Sequence, residues 1–107
     1  MYIRCTYIQS VSELRFDWDP AKAAANLRKH GVAFEEAKTV FWDDFALFQE
    51  DPDHSQGEER FLLLGLSGTP RLLLVVHCYE QPDDTIILIS ARKATPAERA
   101  QYSARWR

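Results

Sequence analysis

The sequence predicts an α+β domain in which helices pack on a sheet, and three observations carry this prediction. Residues 60–92 hold three apolar runs separated by the short turn sequences SGTP and QPDD, a pattern typical of antiparallel strands joined by hairpins. Residues 18–34 carry helix signals at both ends, and residues 95–98 read TPAE, a capping box with proline at the first helical position. A chain of 107 residues that is 46% hydrophobic fits one domain with a modest core.

The chain opens with residues 1–13, which show no clear period. We expect them to form an N-terminal extension or an edge strand, followed by a single domain over 14–107. Residues 14–18 alternate apolar and polar side chains, and this alternation predicts a half-buried strand.

A first helix is predicted over 20–30, because Asp19 suits the N-cap position and a glycine follows the last periodic residue. At about 100° per residue the apolar side chains share one face, which we expect to be buried: Ala23, Ala24, Leu27 and Gly31. The opposite side carries a polar stripe of Lys22, Asn26 and Lys29, with His30 at the border. The stripe has two interpretations, a solvated helix face or a functional surface, and composition alone favours the first.

The remaining elements are predicted from spacing and turn chemistry. Residues 32–41 show helical spacing and predict a second short amphipathic helix, while 45–48 is a candidate brief strand. After an acidic loop, three strands follow at 60–66, 71–80 and 85–92, with apolar runs that indicate coverage on both faces. The capping box opens a last helix to about Trp106, so the order is β-α-α-β-β-β-α around an antiparallel sheet.

The formal net charge of −3 argues against loose nucleic-acid binding through bulk charge. The charge is unevenly distributed along the chain. Residues 43–59 contain seven acidic side chains and no Lys or Arg, whereas residues 85–107 contain five Lys or Arg and one acidic side chain. Such a chain can present one basic surface and keep an acidic surface for a different partner.

Several function classes are disfavoured by the composition. No apolar run has the length of a membrane span and the first residues lack a secretory signal, so we expect a cytoplasmic protein without membrane contact. Cys5 and Cys78 are too few for a disulfide framework and lack metal-ligand spacing. Residues 51–62 begin like a calcium loop, but Gln56 stands where Gly is required and Leu62 where Glu should coordinate. We therefore expect neither a metal nor a cofactor.

Four segments of the chain resemble the BrnT family, the toxin half of a type II toxin–antitoxin pair: WDPAKAAANLRKHGV, FEEA, DHSQGEERFLLLG and ISARKATPAE. They occur in the family's order and span about residues 14 to 103. The resemblance implies a RelE-like fold and ribonuclease activity. It also implies neutralisation by a cognate BrnA-like antitoxin, through which alone the chain would contact operator DNA.

Cleavage of RNA by its own 2′-OH needs a base, an acid and positive charge on the phosphate, but no metal. Arg92 is the first candidate for phosphate contact, because its planar fork matches phosphate and the family pattern favours it over Lys93. Strict alternation places Arg92 on the face of Leu88 and opposite to Lys93. The structural alternative for Arg92 is an ion pair with Glu98 or the acidic loop, and Arg60 has the same two interpretations with its acidic neighbours.

Three histidines are candidate acids or bases. His30 is expected at the C-terminal end of the first helix, where the helix dipole favours the protonated ring. Carboxylates of the acidic loop around His54 would have the same effect. His77 interrupts an apolar strand and is expected to be a satisfied core residue. Glu98 is a further candidate base, although the capping box already gives it a structural role, and Tyr102 is expected on the same helix face.

The leading hypothesis is a metal-independent endoribonuclease toxin that inhibits translation. Its catalytic residues are predicted to be Arg60, Arg92, His30, His54 and Glu98, and its RNA-binding residues Lys22, Asn26, Lys29, Lys93 and Tyr102. The hypothesis requires Lys22, Arg60 and Arg92 to converge in one pocket.

The second hypothesis is a non-catalytic subunit that binds the antitoxin and acts in operator repression. The pI of about 5.5 and the acidic segment 43–59 suit a basic partner better than RNA. An unrelated α+β ligand-binding domain is the third hypothesis.

Overall fold

A mixed sheet of six strands organises the computed structural model, which describes residues 3–4, 14–52 and 59–104. The elements in chain order are β1 (Ile3–Arg4), β2 (Phe16–Asp17), α1 (Pro20–His30), α2 (Phe34–Ala37), a 3₁₀ helix (Lys38–Trp42), β3 (Leu47–Glu50), β4 (Phe61–Leu66), β5 (Leu72–Glu80), β6 (Thr85–Lys93) and α3 (Pro96–Ser103). The strand order across the sheet is β1-β3-β4-β5-β6-β2. The predicted α+β class is confirmed.

The sheet departs from the predicted antiparallel arrangement at one edge. Strands β4 to β6 form the antiparallel meander that the turn sequences indicated, and β3 extends it by pairing antiparallel with β4, but β2 pairs parallel with β6. The whole chain between β2 and β6 serves as the connection that a parallel pair requires. At the other edge β1 pairs with β3, so a piece of the predicted N-terminal edge strand is present, and the rest of 1–13 lies outside the described residues.

The helices begin where the capping signals place them. The Asp19 side chain accepts a hydrogen bond from the Ala21 N–H at 3.0 Å, and Gly31 ends α1 with φ 70°. The predicted helix over 32–41 is instead divided into α2 and the 3₁₀ helix. The last helix starts at the predicted capping box but ends at Ser103, and residues 105–107 are not described.

The two faces of the sheet carry separate cores. We call the side covered by α1, α2 and the 3₁₀ helix the α1 face, and the opposite side the α3 face. Among the described residues, the α1 face buries twelve: Val32, Phe34, Ala37, Val40, Phe41, Ala46, Leu63, Leu73, Val75, Ile86, Leu88 and Ala91. The α3 face buries five: Leu47, Leu64, Leu72, Leu74 and Tyr102. Coverage on both faces is as predicted.

A β-bulge changes which side chains of β6 point toward α3. The register between β5 and β6 shifts between Val76 and His77, which leaves one residue of β6 without a partner. As a result Leu88 packs into the α1-face core, whereas Arg92, opposite Leu74, lies on the α3 face. The prediction that Arg92 shares the face of Leu88 is therefore wrong.

Candidate functional site

Asn26 is a buried clamp between α1 and β6. Asn26 is only 5% exposed. Its Nδ2 donates to the carbonyl oxygens of Val32 and Ala91, both at 2.9 Å, and its Oδ1 accepts from the Ala91 N–H at 3.1 Å. A buried amide is stable when its donors and acceptors are paired in this way. The prediction that Asn26 belongs to an exposed RNA-binding stripe is wrong, and its role is structural.

The burial of Asn26 orients the whole of α1 differently from the prediction. Leu27, expected in the core, is 51% exposed, and Ala23 packs against the α1-face core. Lys22 and Lys29 are exposed as predicted. They lie, however, on the helix that covers the α1 face, so they do not join the arginines of the α3 face.

The guanidinium of Arg92 makes a bidentate pair with a carboxylate of α3. Its Nη1 and Nη2 donate to Oε1 and Oε2 of Glu98 at 2.9 and 3.0 Å, and Oε1 also accepts from the Thr95 N–H at 2.9 Å. Burial raises the pKa of Glu98, but the hydrogen bonds from Arg92 and Thr95 outweigh it and leave the pKa below its ordinary value. The ion pair expected as the structural alternative is thus present, while 37% of the Arg92 side chain remains exposed.

Arg60 lies on the same face as Arg92 but at the far end of β4. Its carbonyl oxygen accepts from the Asp51 N–H at 2.8 Å, so it extends the strand and alternates with Leu62, which packs against the α3-face core. Arg92 is level with Leu64 across the paired strands. The two Cα atoms are therefore about 13 Å apart along the strands and about 10 Å across them.

The predicted single pocket of Lys22, Arg60 and Arg92 does not form. The two arginines share the α3 face at separate positions, and the lysine belongs to the helix on the other side of the sheet. A strand of RNA on the α3 face would meet the arginines at different phosphates.

A cavity of about 450 Å³ lies where α3 meets the ends of β4, β5 and β6. It is lined by Leu66, Pro70, Arg71, Leu72, Lys93, Arg99, Tyr102 and Ser103. Within the described part of the chain, the charged groups of Lys93 and Arg99 make no ion pair or hydrogen bond. Sequence reasoning selected Lys93 and missed Arg99, although the basic composition of 85–107 was a signal for it.

Tyr102 borders this cavity from the core side. It is 5% exposed, and its hydroxyl donates to Asp43 Oδ2 at 2.7 Å. The same oxygen accepts from the Leu66 N–H at 2.8 Å. Glu98 and Tyr102 share the sheet-facing side of α3 as predicted, and the Tyr102 hydroxyl is engaged in holding α3 in place.

Arg71 is the third cation of the cavity and is fixed by Glu36. Its Nε donates to Glu36 Oε2 at 2.9 Å, and its Nη2 contacts both Glu36 Oε1 and, at 3.1 Å, the Gly31 carbonyl. Ser67 and Thr69 also donate to Glu36 Oε2, each at 2.6 Å. The hydrogen bond from Arg71 is the main cause that lowers the pKa of Glu36 to about 2, against the effect of burial. Sequence reasoning missed this pair, because its members are separated by 35 positions.

Of the three histidines, His77 has the core position that the sequence predicted. His77 is fully buried, and its Nε2 lies 3.2 Å from the Tyr79 hydroxyl. Burial lowers the pKa of His77 to about 4, so it is a neutral core residue. His30 is half-buried at the end of α1, next to the Gly31 carbonyl that binds Arg71. His54 lies outside the described residues, and a role of either ring in proton transfer stays a prediction.

The end of the sheet that lies away from the α3 cavity carries acidic side chains. A depression of about 900 Å³ is lined by five carboxylates, Asp17, Asp19, Glu59, Glu80 and Asp84, together with apolar and aromatic side chains. No Lys or Arg is among its described lining residues. This end suits a positively charged partner.

The described residues form neither a metal site nor a membrane-spanning helix. Among the residues with described positions, no group of three His, Cys, Asp or Glu side chains is arranged to hold a metal ion. Within the same ranges, no helix combines the length and apolarity needed to cross a membrane.

Known proteins resemble this chain in sequence and in fold. A family model described as ribonuclease toxin, BrnT, of type II toxin–antitoxin system matches residues 18–98. The structure is similar to the 1.1 Å crystal structure of the Brucella abortus ribonuclease toxin BrnT, with a TM-score of 0.56 and 20% sequence identity. That similarity covers 77% of this chain and 97% of the Brucella chain. No curated protein sequence matches the chain.

Proposed function

This chain belongs to the BrnT family of ribonuclease toxins of type II toxin–antitoxin systems, and from that premise we propose that it is a metal-independent endoribonuclease. It acts in the cytoplasm, where cleavage of RNA inhibits translation, and a BrnA-like antitoxin neutralises it. Its fold is of the RelE type. The observation that carries the catalytic proposal is the guanidinium of Arg92, which two hydrogen bonds to Glu98 hold in place on the α3 face, the face with the smaller described core.

In the proposed reaction the 2′-oxygen of one nucleotide attacks its own 3′-phosphorus, and the bond from phosphorus to the 5′-oxygen of the next nucleotide breaks. A base takes the 2′-OH proton and an acid protonates the leaving oxygen, so the products are a 2′,3′-cyclic phosphate and a 5′-OH. Negative charge grows on the non-bridging oxygens in the transition state. The guanidinium of Arg92, whose side chain is 37% exposed, stabilises that charge, and loss of such a donor costs on the order of 10²–10³ in rate.

Glu98 acts in this proposal as a positioning residue for Arg92. Both of its oxygens accept hydrogen bonds in the folded chain, and its pKa is lowered, so it is a poor proton acceptor near neutral pH. Arg60 contacts a second phosphate farther along the same face.

The proposal is tested by digestion of RNA with the purified chain in the presence of a chelator, alongside induced expression in cells. We expect cleavage by the wild type, and strongly reduced cleavage by Arg92→Ala. Arg15→Gln is the matched control, because it removes the same charge from an exposed pair with Asp83 on the β2 side of the sheet. A wild-type chain that neither slows growth nor degrades RNA would overturn the proposal.

The acidic depression favours a second candidate function, a non-catalytic subunit that binds the antitoxin and acts in operator repression. Its five carboxylates complement a basic partner segment. Capture of the product of the neighbouring gene without any RNA cleavage would support this candidate. RNA cleavage by the free chain excludes it as the main function.

A further inference from the structure

The cavity between α3 and the strand ends combines free positive charge with an exposed apolar wall. The ammonium of Lys93 and the guanidinium of Arg99 have no bonding partner among the described residues. Leu66, which also lines the cavity, is 36% exposed and is one of the few large apolar residues exposed in the described part of the chain. Pro70 beside it is also exposed. A ligand with an anionic part and a flat apolar part matches both walls.

Arg71, the third cationic side chain of the cavity, is fixed by hydrogen bonds. Glu36 fixes Nε and Nη2 of Arg71, its own side chain is 13% exposed, and the Arg71 side chain remains 33% exposed. The Nη1 group takes no part in the described hydrogen bonds. A guanidinium anchored on one edge loses little side-chain entropy when it binds an anion with the other edge.

From these contacts we propose that the cavity is a subsite for one unpaired nucleotide of the RNA substrate. Its phosphate binds Lys93 and Arg99 beside the free edge of Arg71, and its base packs on Leu66 and Pro70. The inference rests on the proposed ribonuclease function and adds the substrate class, single-stranded RNA.

The requirement for an unpaired base follows from the position of the apolar wall. In a duplex both faces of each base are covered by stacking, whereas an unpaired base offers a face to a side chain. The volume of about 450 Å³ lies within the range of small-molecule sites and far below what a duplex occupies. Lys93 lines the cavity from the end of β6, and Arg99 directly follows Glu98, the partner of Arg92, along α3, so the subsite lies beside the proposed cleavage site.

The test uses a 2′-O-methyl oligonucleotide, which lacks the attacking hydroxyl, as a single strand and as a duplex of the same sequence. We expect the wild type to bind the single strand more tightly than the duplex. Arg99→Gln should reduce the slope of log Kd against log salt by about 0.7, the value for one phosphate contact in a single strand. Leu66→Glu should remove the preference for the single strand. Both positions are exposed, and Arg15→Gln is the control that should leave slope and preference unchanged.

Cleavage kinetics separate this inference from the proposed function. If the subsite is correct, Leu66→Glu and Arg99→Gln raise KM more than they lower kcat, because they act away from the reacting phosphate. Unchanged salt slope and unchanged strand preference in folded Arg99→Gln and Leu66→Glu would overturn the subsite even if the wild type cleaves RNA. A wild type that shows the expected binding but no cleavage would overturn the nuclease proposal alone.

Discussion

The two faces of the sheet differ in how completely they are covered, and the difference separates stability from the proposed chemistry. On the α1 face, α1, α2 and the 3₁₀ helix bury twelve core residues. On the α3 face, a helix of eight residues covers a core of five and leaves Leu62, Val76 and Ser90 half-buried. The Arg92–Glu98 pair and the exposed cations Lys93 and Arg99 lie beside this smaller cover, whereas Arg71 is bound to Glu36 of α2. A short helix thus leaves room for a substrate where a larger layer would exclude it.

The two faces also differ in the charge of key polar side chains. Asn26 and His77 are buried on the α1 face without a charge, since Asn26 is paired with backbone groups and His77 is neutral. The α3 face instead keeps Arg92 ionised and partly exposed. Changes on the two faces should therefore be read out by different measurements.

The largest expected effect is on catalysis from the α3 face. Arg92→Ala should lower kcat on the order of 10²–10³-fold, because a fixed donor to the developing charge is lost. Single-turnover cleavage of an RNA oligonucleotide measures the rate, with thermal unfolding in parallel to show that the variant is folded. A rate close to the wild type from a folded variant would contradict the assignment.

The next largest effect is a pH dependence of stability, which arises from His77 on the α1 face. The pKa of His77 is lowered from 6.5 to about 4 by burial. Between these values the unfolded ring binds a proton and the folded ring does not, so the free energy of unfolding falls as pH is lowered. The integrated loss is roughly 3 kcal/mol at most.

Urea unfolding at a series of pH values measures this loss, and His77→Gln should flatten the curve over the same window. The lowered pKa of Glu98 on the α3 face acts in another window, since its contribution is present above the ordinary Glu pKa and is lost below it. A wild-type curve that is flat between pH 6.5 and 4.5 would rule out the role of His77.

A smaller loss of stability is expected from the clamp that attaches α1. Asn26→Ala should lower the free energy of unfolding by roughly 2 kcal/mol, because the N–H and carbonyl groups it binds on Ala91 and Val32 lose their partner. Lys29→Ala on the same helix is the matched control and should change stability by less than about 0.5 kcal/mol. Equal effects of the two changes in urea unfolding would show that the clamp contributes nothing.

The smallest effect is expected from Lys22. Lys22→Ala should change the cleavage rate by less than about twofold at physiological salt, because Lys22 lies on α1, across the sheet from Arg92, and exposed charges at such separations are largely screened. Cleavage kinetics at two salt concentrations measure it. A loss comparable to that of Arg92→Ala would show that bound RNA reaches the α1 face and would remove the distinction between the faces.

Local signals in the sequence predicted several elements correctly. Asp19 and Gly31 mark the ends of α1, and the TPAE box starts α3, because capping depends on residues within one turn of each other. The turn sequences between β4, β5 and β6 likewise act locally and predicted the meander. The four family-like segments correctly identified the family.

The fold class, the family and most helix and strand positions were thus predictable from the residues alone, since each depends on neighbouring residues or on a pattern along one element. Three features emerge only when the chain is folded: the burial of Asn26, the bulge that turns Arg92 toward α3, and the contact of Glu36 with Arg71. These features arise from contacts between residues far apart in the chain, where a side chain's role is set by the partner that the fold brings to it.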